Sequence, residues 1–293
     1  MGVRYAYIMN ILQAIIIGLM QGFTELFPIS SLGHSVIIPQ VLGWNINQSS
    51  PYFLTFLVAT HLATALVLLA FFRKDWIAIL KGLGRSLAAR EIDSRDVPAK
   101  LGWLLVVATI PAGILGLLFQ DPIRSLFASA QIAAGFLIIN GIILLIAERL
   151  RKRTNKPESA LQSDKQIASL RWSQVIGIGA AQAAALFPGI SRSGSSMAGG
   201  LIAGLDNGAA ARFSFLLATP IIGAAALLKL PELFQPAAAP FLGAIVAGSL
   251  FAGVSAYLSV RFLIKYFQTK TMKPFAFYCL GAGVIYSLIL LIR

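Results

Sequence analysis

Apolar residues in this chain gather in unbroken blocks instead of alternating with polar ones. Six blocks, Tyr52–Phe72, Leu101–Phe119, Ile132–Ala147, Phe213–Leu230, Phe241–Leu263 and Phe275–Ile292, approach the roughly 20 residues that carry a helix across a bilayer core. A helix of a soluble protein keeps a polar face, whereas these blocks are apolar all round. The pattern predicts an all-α polytopic integral membrane protein, with residues 1–293 forming a single membrane domain. No small-residue cleavage site follows the first apolar run, so no removable signal peptide is expected.

Charge adds topology to this picture. Hydrophobic residues make up 57% of the 293 positions and charged ones 12%, with a net charge of +13. Of 24 Lys and Arg, 18 fall in three stretches between the blocks, seven in Arg73–Lys100, seven in Glu148–Arg171 and four in Arg261–Lys273. Such clustering is the positive-inside pattern of cytoplasmic loops, and it does not imply nucleic acid as a partner. For all three stretches to share one side, Trp172–Asn207 must make no net crossing. It has to dip in and come back.

An internal similarity follows. The stretch "IGLMQGFTELFPISSLGH" (Ile17–His34) resembles "IGAAQAAALFPGISRSGSS" (Ile178–Ser196), and "FLVATH" (Phe56–His61) matches "FLLATP" (Phe215–Pro220) at nearly the same offset of about 160 residues. Two matches in order at one spacing indicate repeats of approximately 5–150 and 172–293, joined by the basic loop 148–171. Each repeat then holds a re-entrant helical hairpin followed by about three transmembrane helices. An odd number of crossings inverts the second repeat, and inverted repeats with broken helices meet at a midplane binding site. Irregular backbone is tolerated at that depth where it is buried or lines a wet cavity. Gly194, Gly199 and Gly200 also permit close helix approach, and some glycines serve packing alone.

Five ionisable residues lie in or beside apolar stretches, namely Glu25, His34, His61, Arg192 and Arg212. Charges in the membrane are costly and mark function by default. Glu25 and Arg192, one from each repeat, are natural counter-charges. A purely structural ion pair would explain both of them but not the hydroxyls nearby. Those hydroxyls, Ser30, Ser31, Ser191, Ser193, Ser195 and Ser196, often bond back to their own helix, yet six in two matching loops read as a cradle. The arginine fork, the serines and a helix start after Ser193 suit an anion, phosphate above all. Ser31 and His34 are spaced to face one cavity, fitting nucleophile and base, or His34 alone as acid, base or nucleophile. Glu25 can serve as base or hold a divalent cation bridging phosphate oxygens, a metal that arrives with the substrate. His61 is expected to be structural, Arg212 to mark the cytoplasmic border beside Asp206, and the lone Cys279 to be a small core or lipid-facing residue that excludes an internal disulfide.

The stretches "QGFTELFPISSLGH" and "LFPGISRSGSS" resemble the two signature motifs of the bacterial undecaprenyl-diphosphate phosphatases, the bacitracin-resistance (BacA/UppP-type) family. The similarity extends over almost the whole chain, including "TIPAGILGLLFQDPIRSLF" between the motifs. It implies hydrolysis of a C55 polyprenyl diphosphate to the monophosphate, releasing phosphate at the outer, periplasmic face of the bacterial inner membrane. It puts Glu25, His34 and Arg192 in the active site, with Ser31 beside them and Ser191 and Ser193 flanking the arginine. The expected catalytic residues are therefore Glu25, His34, Ser31 and Arg192, and Gln21, Ser30, Ser191, Ser193 and Gly194 are expected to bind substrate. The family often has Glu where this chain has Gln21, a weaker ligand, so a metal (Mg2+ or Ca2+) would rest mainly on Glu25. Leu32 stands where Thr is common, so no hydroxyl is essential there.

Ser31, His34 or a water are open as nucleophile. The expected partners are the polyprenyl diphosphate lipid and the bilayer, with no nucleic acid and with a homo-oligomer left open. The rival function is a polyprenyl-phosphate flippase or secondary transporter using the same midplane site.

Overall fold

The computed structural model describes residues 9–48, 50–93, 95–124, 129–151, 159–229, 231 and 241–292. Positions 5–8 of the first expected repeat, 152–158 of the basic loop and Leu230 of one expected span lie outside them. Among the described residues the chain is helical throughout, without strands.

The helices run in chain order as α1 (Ile11–Leu26), α2 (Ser31–Val41), α3 (Pro51–Phe71), α4 (Arg73–Ala89), α5 (Val97–Arg124) and α6 (Ala130–Leu150). They continue as α7 (Ala160–Ala168), α8 (Trp172–Ala183), α9 (Arg192–Ala203), α10 (Asn207–Lys229), α11 (Leu242–Thr269) and α12 (Lys273–Ile292). Starts follow local chemistry. Asn10 and Gln13 form a reciprocal capping box at α1, while Ser50 caps α3 just ahead of Pro51 at its first position.

Among the described residues six helices are long and apolar enough to cross a membrane, namely α3, α5, α6, α10, α11 and α12. They coincide with the six expected blocks, so this is a multi-pass membrane protein. Their outward residues, such as Leu118, Val246, Leu250 and Leu288, are exposed leucine and valine. In lipid such a face needs no polar cover.

Of the six shorter helices, α4 and α7 carry charged residues, and the other four form two pairs. Helices α1 and α2, of 16 and 11 residues, pack against each other across a four-residue turn, 27–30. Helices α8 and α9, of 12 residues each, do the same across a 3-10 turn and the stretch 187–191. At 1.5 Å per residue, none of the four reaches the roughly 30 Å of a hydrocarbon core. Trp172–Asn207, expected to dip and return, is this second pair. Around the two pairs, α1 lies along α11, α6 along α12, and α8 along α5, which brings both turns into the interior.

Charged groups at one end are stapled by Arg212 of α10. Its guanidinium donates two hydrogen bonds to Asp164 of α7, at 2.7 and 2.9 Å, and a third to Asp75 of α4 at 2.6 Å. Sequence proximity pointed to Asp206, but that carboxylate caps α10 by accepting from the Ala209 N–H at 2.8 Å. The partners of Arg212 come from helices that only packing brings near.

Candidate active site

The two turns meet back to back. A Cβ on Gly33, in the first turn of α2, would lie 2.9 Å from the Cα of Gly189 in the second turn. Gly189 itself has φ +101°, and its own Cβ would run into the Ala133 carbonyl of α6. Glycine is required there both for the backbone angle and for the space. In the first turn Ser30 takes φ 70°, unusual for a residue with a side chain. Its hydroxyl accepts from the Gly33 N–H at 3.2 Å, which starts α2 and sets Ser31 on the first helical position. Ser191 starts α9 in the same way, accepting from the Gly194 N–H at 3.1 Å and setting Arg192 on the first position.

Glu25, near the end of α1 and buried, stands at the junction. The Ser31 hydroxyl donates to its Oε2 at 2.5 Å, and Arg192 Nε donates to its Oε1 at 3.1 Å. A third group arrives from α3, where His61 Nε2 lies 3.2 Å from Oε2. The other ring nitrogen of His61, Nδ1, is 2.7 Å from the Leu57 carbonyl, an acceptor only, so it carries a proton. The contact of Nε2 with a carboxylate oxygen is attractive only with a second proton between them. Whichever partner holds that proton, His61, Glu25 and Arg192 together carry one excess positive charge.

Arg192 is incompletely used. Nη1 donates to the Ser214 carbonyl of α10 at 3.3 Å, while Nη2 is buried with no partner. Further buried polar atoms without partners are both amide atoms of Gln21, one turn before Glu25 on α1, and the hydroxyls of Ser35 and Ser195. A buried donor without an acceptor costs stability, so the unpartnered Arg192 Nη2 beside Glu25 is suited to a polar ligand.

The remaining expected residues divide. Ser191 and Ser193 are 3.0 Å apart and reach the Phe27 carbonyl of the first turn at 3.5 and 3.1 Å. Their hydroxyls therefore tie the turns together. Gly194 contributes its capping N–H. His34 is turned away, its Nδ1 donating to the Ser30 carbonyl at 2.7 Å and its Nε2 lying 2.8 Å from the Tyr278 hydroxyl of α12. With both ring nitrogens occupied there, it is not hydrogen-bonded to the Glu25 carboxylate. Ser31 has Glu25, not His34, as its acceptor.

Ser214 and Tyr278 were not singled out by sequence reasoning. His61 stood out as an ionisable residue in an apolar block but was expected to be structural, and the structure instead sets it on the Glu25 carboxylate. That pairing was not legible, because α3 and α1 meet only in the packed molecule. Cys279 is buried in the core beside this region.

Comparison with known proteins adds a second line. A family model described as bacitracin resistance protein BacA matches residues 14–285. The chain is 46% identical to an undecaprenyl-diphosphatase of Mycolicibacterium paratuberculosis, over 94% of this chain and 95% of that protein. It is 46% identical to an undecaprenyl-diphosphatase of Acidiphilium cryptum, over 97% and 99% respectively. Undecaprenyl-diphosphatase 2 of Frankia alni is 42% identical, over 94% and 96%.

Proposed function

The chain belongs to the bacitracin resistance protein BacA family, and from that membership and the site above we infer that it hydrolyses undecaprenyl diphosphate to the monophosphate and inorganic phosphate. This returns the lipid carrier to peptidoglycan synthesis and confers resistance to bacitracin. The observation that carries the reading is the buried Glu25–Arg192–His61 cluster, with its excess positive charge, a free guanidinium nitrogen and a serine hydroxyl on the carboxylate.

In the proposed mechanism Arg192 Nη2 takes the terminal phosphate, and Ser31 Oγ attacks its phosphorus. The bond to the bridging oxygen breaks, undecaprenyl monophosphate leaves, and Glu25 accepts the serine proton. Phosphoryl transfer passes through a loose transition state, so positioning and charge stabilisation matter more than a strong base. With the shared proton on His61, the Glu25 carboxylate is held by two cationic donors and suffices if it is in place. Water then hydrolyses the phosphoserine, with Glu25 moving the protons in reverse. His34 holds the Ser30 carbonyl and through it the strained turn before Ser31.

Among the described residues no three His, Cys, Asp or Glu side chains converge to cage a metal. The donors that fit a divalent cation, Mg2+ or Ca2+, are the Glu25 carboxylate and the unpartnered Gln21 amide oxygen, with the diphosphate completing the set. Such an ion would neutralise charge on the phosphates.

We read the two short-helix pairs as re-entrant hairpins of an inverted repeat in the bacterial inner membrane. Their lengths, each short of a crossing, support this. The site opens to the outer face, opposite the three basic stretches.

The deciding measurement is phosphate release from a polyprenyl diphosphate by the purified protein in detergent, with and without chelator, for wild type, Glu25→Gln and Ser31→Ala. Release by wild type and loss in both variants is expected, with phosphate trapped on Ser31. No release by the wild type in magnesium or calcium would overturn the phosphatase reading in favour of lipid transport. Retained activity in Ser31→Ala would make water the nucleophile.

A further inference from the structure

We propose that Asn140 is a positioning residue for this reaction, setting the register between the turn that carries Ser31 and the turn that carries Arg192. The inference rests on the phosphatase reading. Asn140 sits midway along α6 and is fully buried. Its amide nitrogen donates to the Pro28 carbonyl at 2.9 Å, and its amide oxygen accepts the Ser191 N–H at 3.0 Å. Pro28 lies three residues before Ser31, and Ser191 immediately precedes Arg192. One rigid amide plane thus grips the backbone of both turns from a third helix that carries neither.

Two comparisons set this residue apart. Several threonines in the apolar helices bond back to their own helix, as Thr24, Thr55, Thr64 and Thr109 do to carbonyls four residues earlier. Asn140 reaches out to the two turns, and in addition to Cys279 Sγ of α12 at 3.3 Å. Moreover, Gly194 packs against it so closely that a Cβ there would lie 3.3 Å from its amide oxygen. Other ties between the turns are the Glu25–Arg192 pair and the Ser191 and Ser193 hydroxyls on the Phe27 carbonyl. All of those involve side chains of the two hairpins themselves. Asn140 references the backbone of both turns to a fixed external point.

The chemistry requires a donor and an acceptor on one short side chain. Leucine of similar size offers neither, and an ionised aspartate offers acceptors only. A protonated aspartic acid offers one of each, like the amide. That difference separates positioning from mere space filling. The titratable group facing position 140 is Cys279 of α12. The first turn presents the Pro28 carbonyl there, and α9 presents Ser191 N–H and Gly194.

The test uses the full-length protein in detergent and undecaprenyl diphosphate, measuring kcat, KM, thermal unfolding and the pH profile of each variant relative to wild type. A misplacement of about 1 Å costs on the order of 100-fold in rate, so Asn140→Leu should lose kcat by about that factor with KM little changed. For Asn140→Asp, the ratio of its kcat to that of wild type should climb as pH falls, while the ratio for Asn140→Leu stays flat. Taking ratios cancels titrations shared with the wild type. A folded Asn140→Leu with wild-type kcat overturns this inference alone. So does a flat ratio for Asn140→Asp, which decides the matter even where the leucine variant fails to fold. Absence of phosphate release by the wild type overturns the functional reading as well.

Discussion

Glu25 and Arg192 are 167 residues apart in the chain and share a hydrogen bond of 3.1 Å. The bond joins the end of one half-length helix to the start of another, and it uses only one edge of the guanidinium. Nε serves the carboxylate, Nη1 the Ser214 carbonyl, and Nη2 is left for a ligand.

Arg192→Ala should therefore reduce phosphate release by about 10²–10³, and Arg192→Lys should not restore it. An ammonium is a point charge and cannot serve carboxylate, carbonyl and phosphate along one planar fork. Steady-state phosphate release on folded protein checks this. A lysine variant with near wild-type kcat would show that charge alone is enough.

His61→Leu should lower kcat/KM by about 10²-fold, comparable to the loss of one preorganised donor. It removes one of two cationic donors from the Glu25 carboxylate. His61→Gln, whose amide can still donate to Oε2, should retain more activity than the leucine variant. Equal activity of both variants with wild type would make the contact incidental.

Arg212→Ala should cost stability and spare chemistry. It strands Asp164 and Asp75, of which Asp75 keeps 31% of its side chain exposed and Asp164 17%. Removing one partner of a buried pair costs about 3–5 kcal/mol, and the partial exposure of both acids should bring this to about 2 kcal/mol. A lowered unfolding temperature in detergent, with unchanged phosphate release per folded molecule, is the expected result.

Two glycine substitutions should move stability in opposite directions. A Cβ on Gly22 would collide with the Ala252 carbonyl of α11, forcing α1 outward. Gly22→Ala is expected to destabilise by about 1–3 kcal/mol, as overpacking does, and to reduce activity by displacing Glu25. Gly84 in α4 has nothing within 4 Å of the added atom, so Gly84→Ala should stabilise, by about 0.5–1 kcal/mol. Thermal unfolding of both variants decides.

The route from sequence to site ran unevenly. Each span was legible in the sequence, closely for Tyr52–Phe72 against the observed Pro51–Phe71 and less so for Phe213–Leu230, whose helix already begins at Asn207. The two polar turns were legible because their serines, glycines and prolines break apolar runs. Glu25, His34 and Arg192, with Ser31 beside them, emerged as a group from charge and motif. Side-chain direction did not. His34, expected to face Ser31, turns to Tyr278, and the serines flanking Arg192 spend their hydroxyls on the Phe27 carbonyl. Arg212 found acids on α4 and α7 instead of its chain neighbour.

What the sequence by itself determined is where the chain is apolar enough to live in lipid, where it is interrupted, and which few ionisable groups sit at the interruptions. Those properties are local, because a helix in a bilayer satisfies its own backbone and the length of an apolar run is set by the solvent around it. Charge already paired Glu25 with Arg192, but only tertiary structure brought His61 onto the same carboxylate and Asn140 between two turns. Such meetings depend on how helices pack and which rotamers the packing permits, and no spacing within a single helix encodes them.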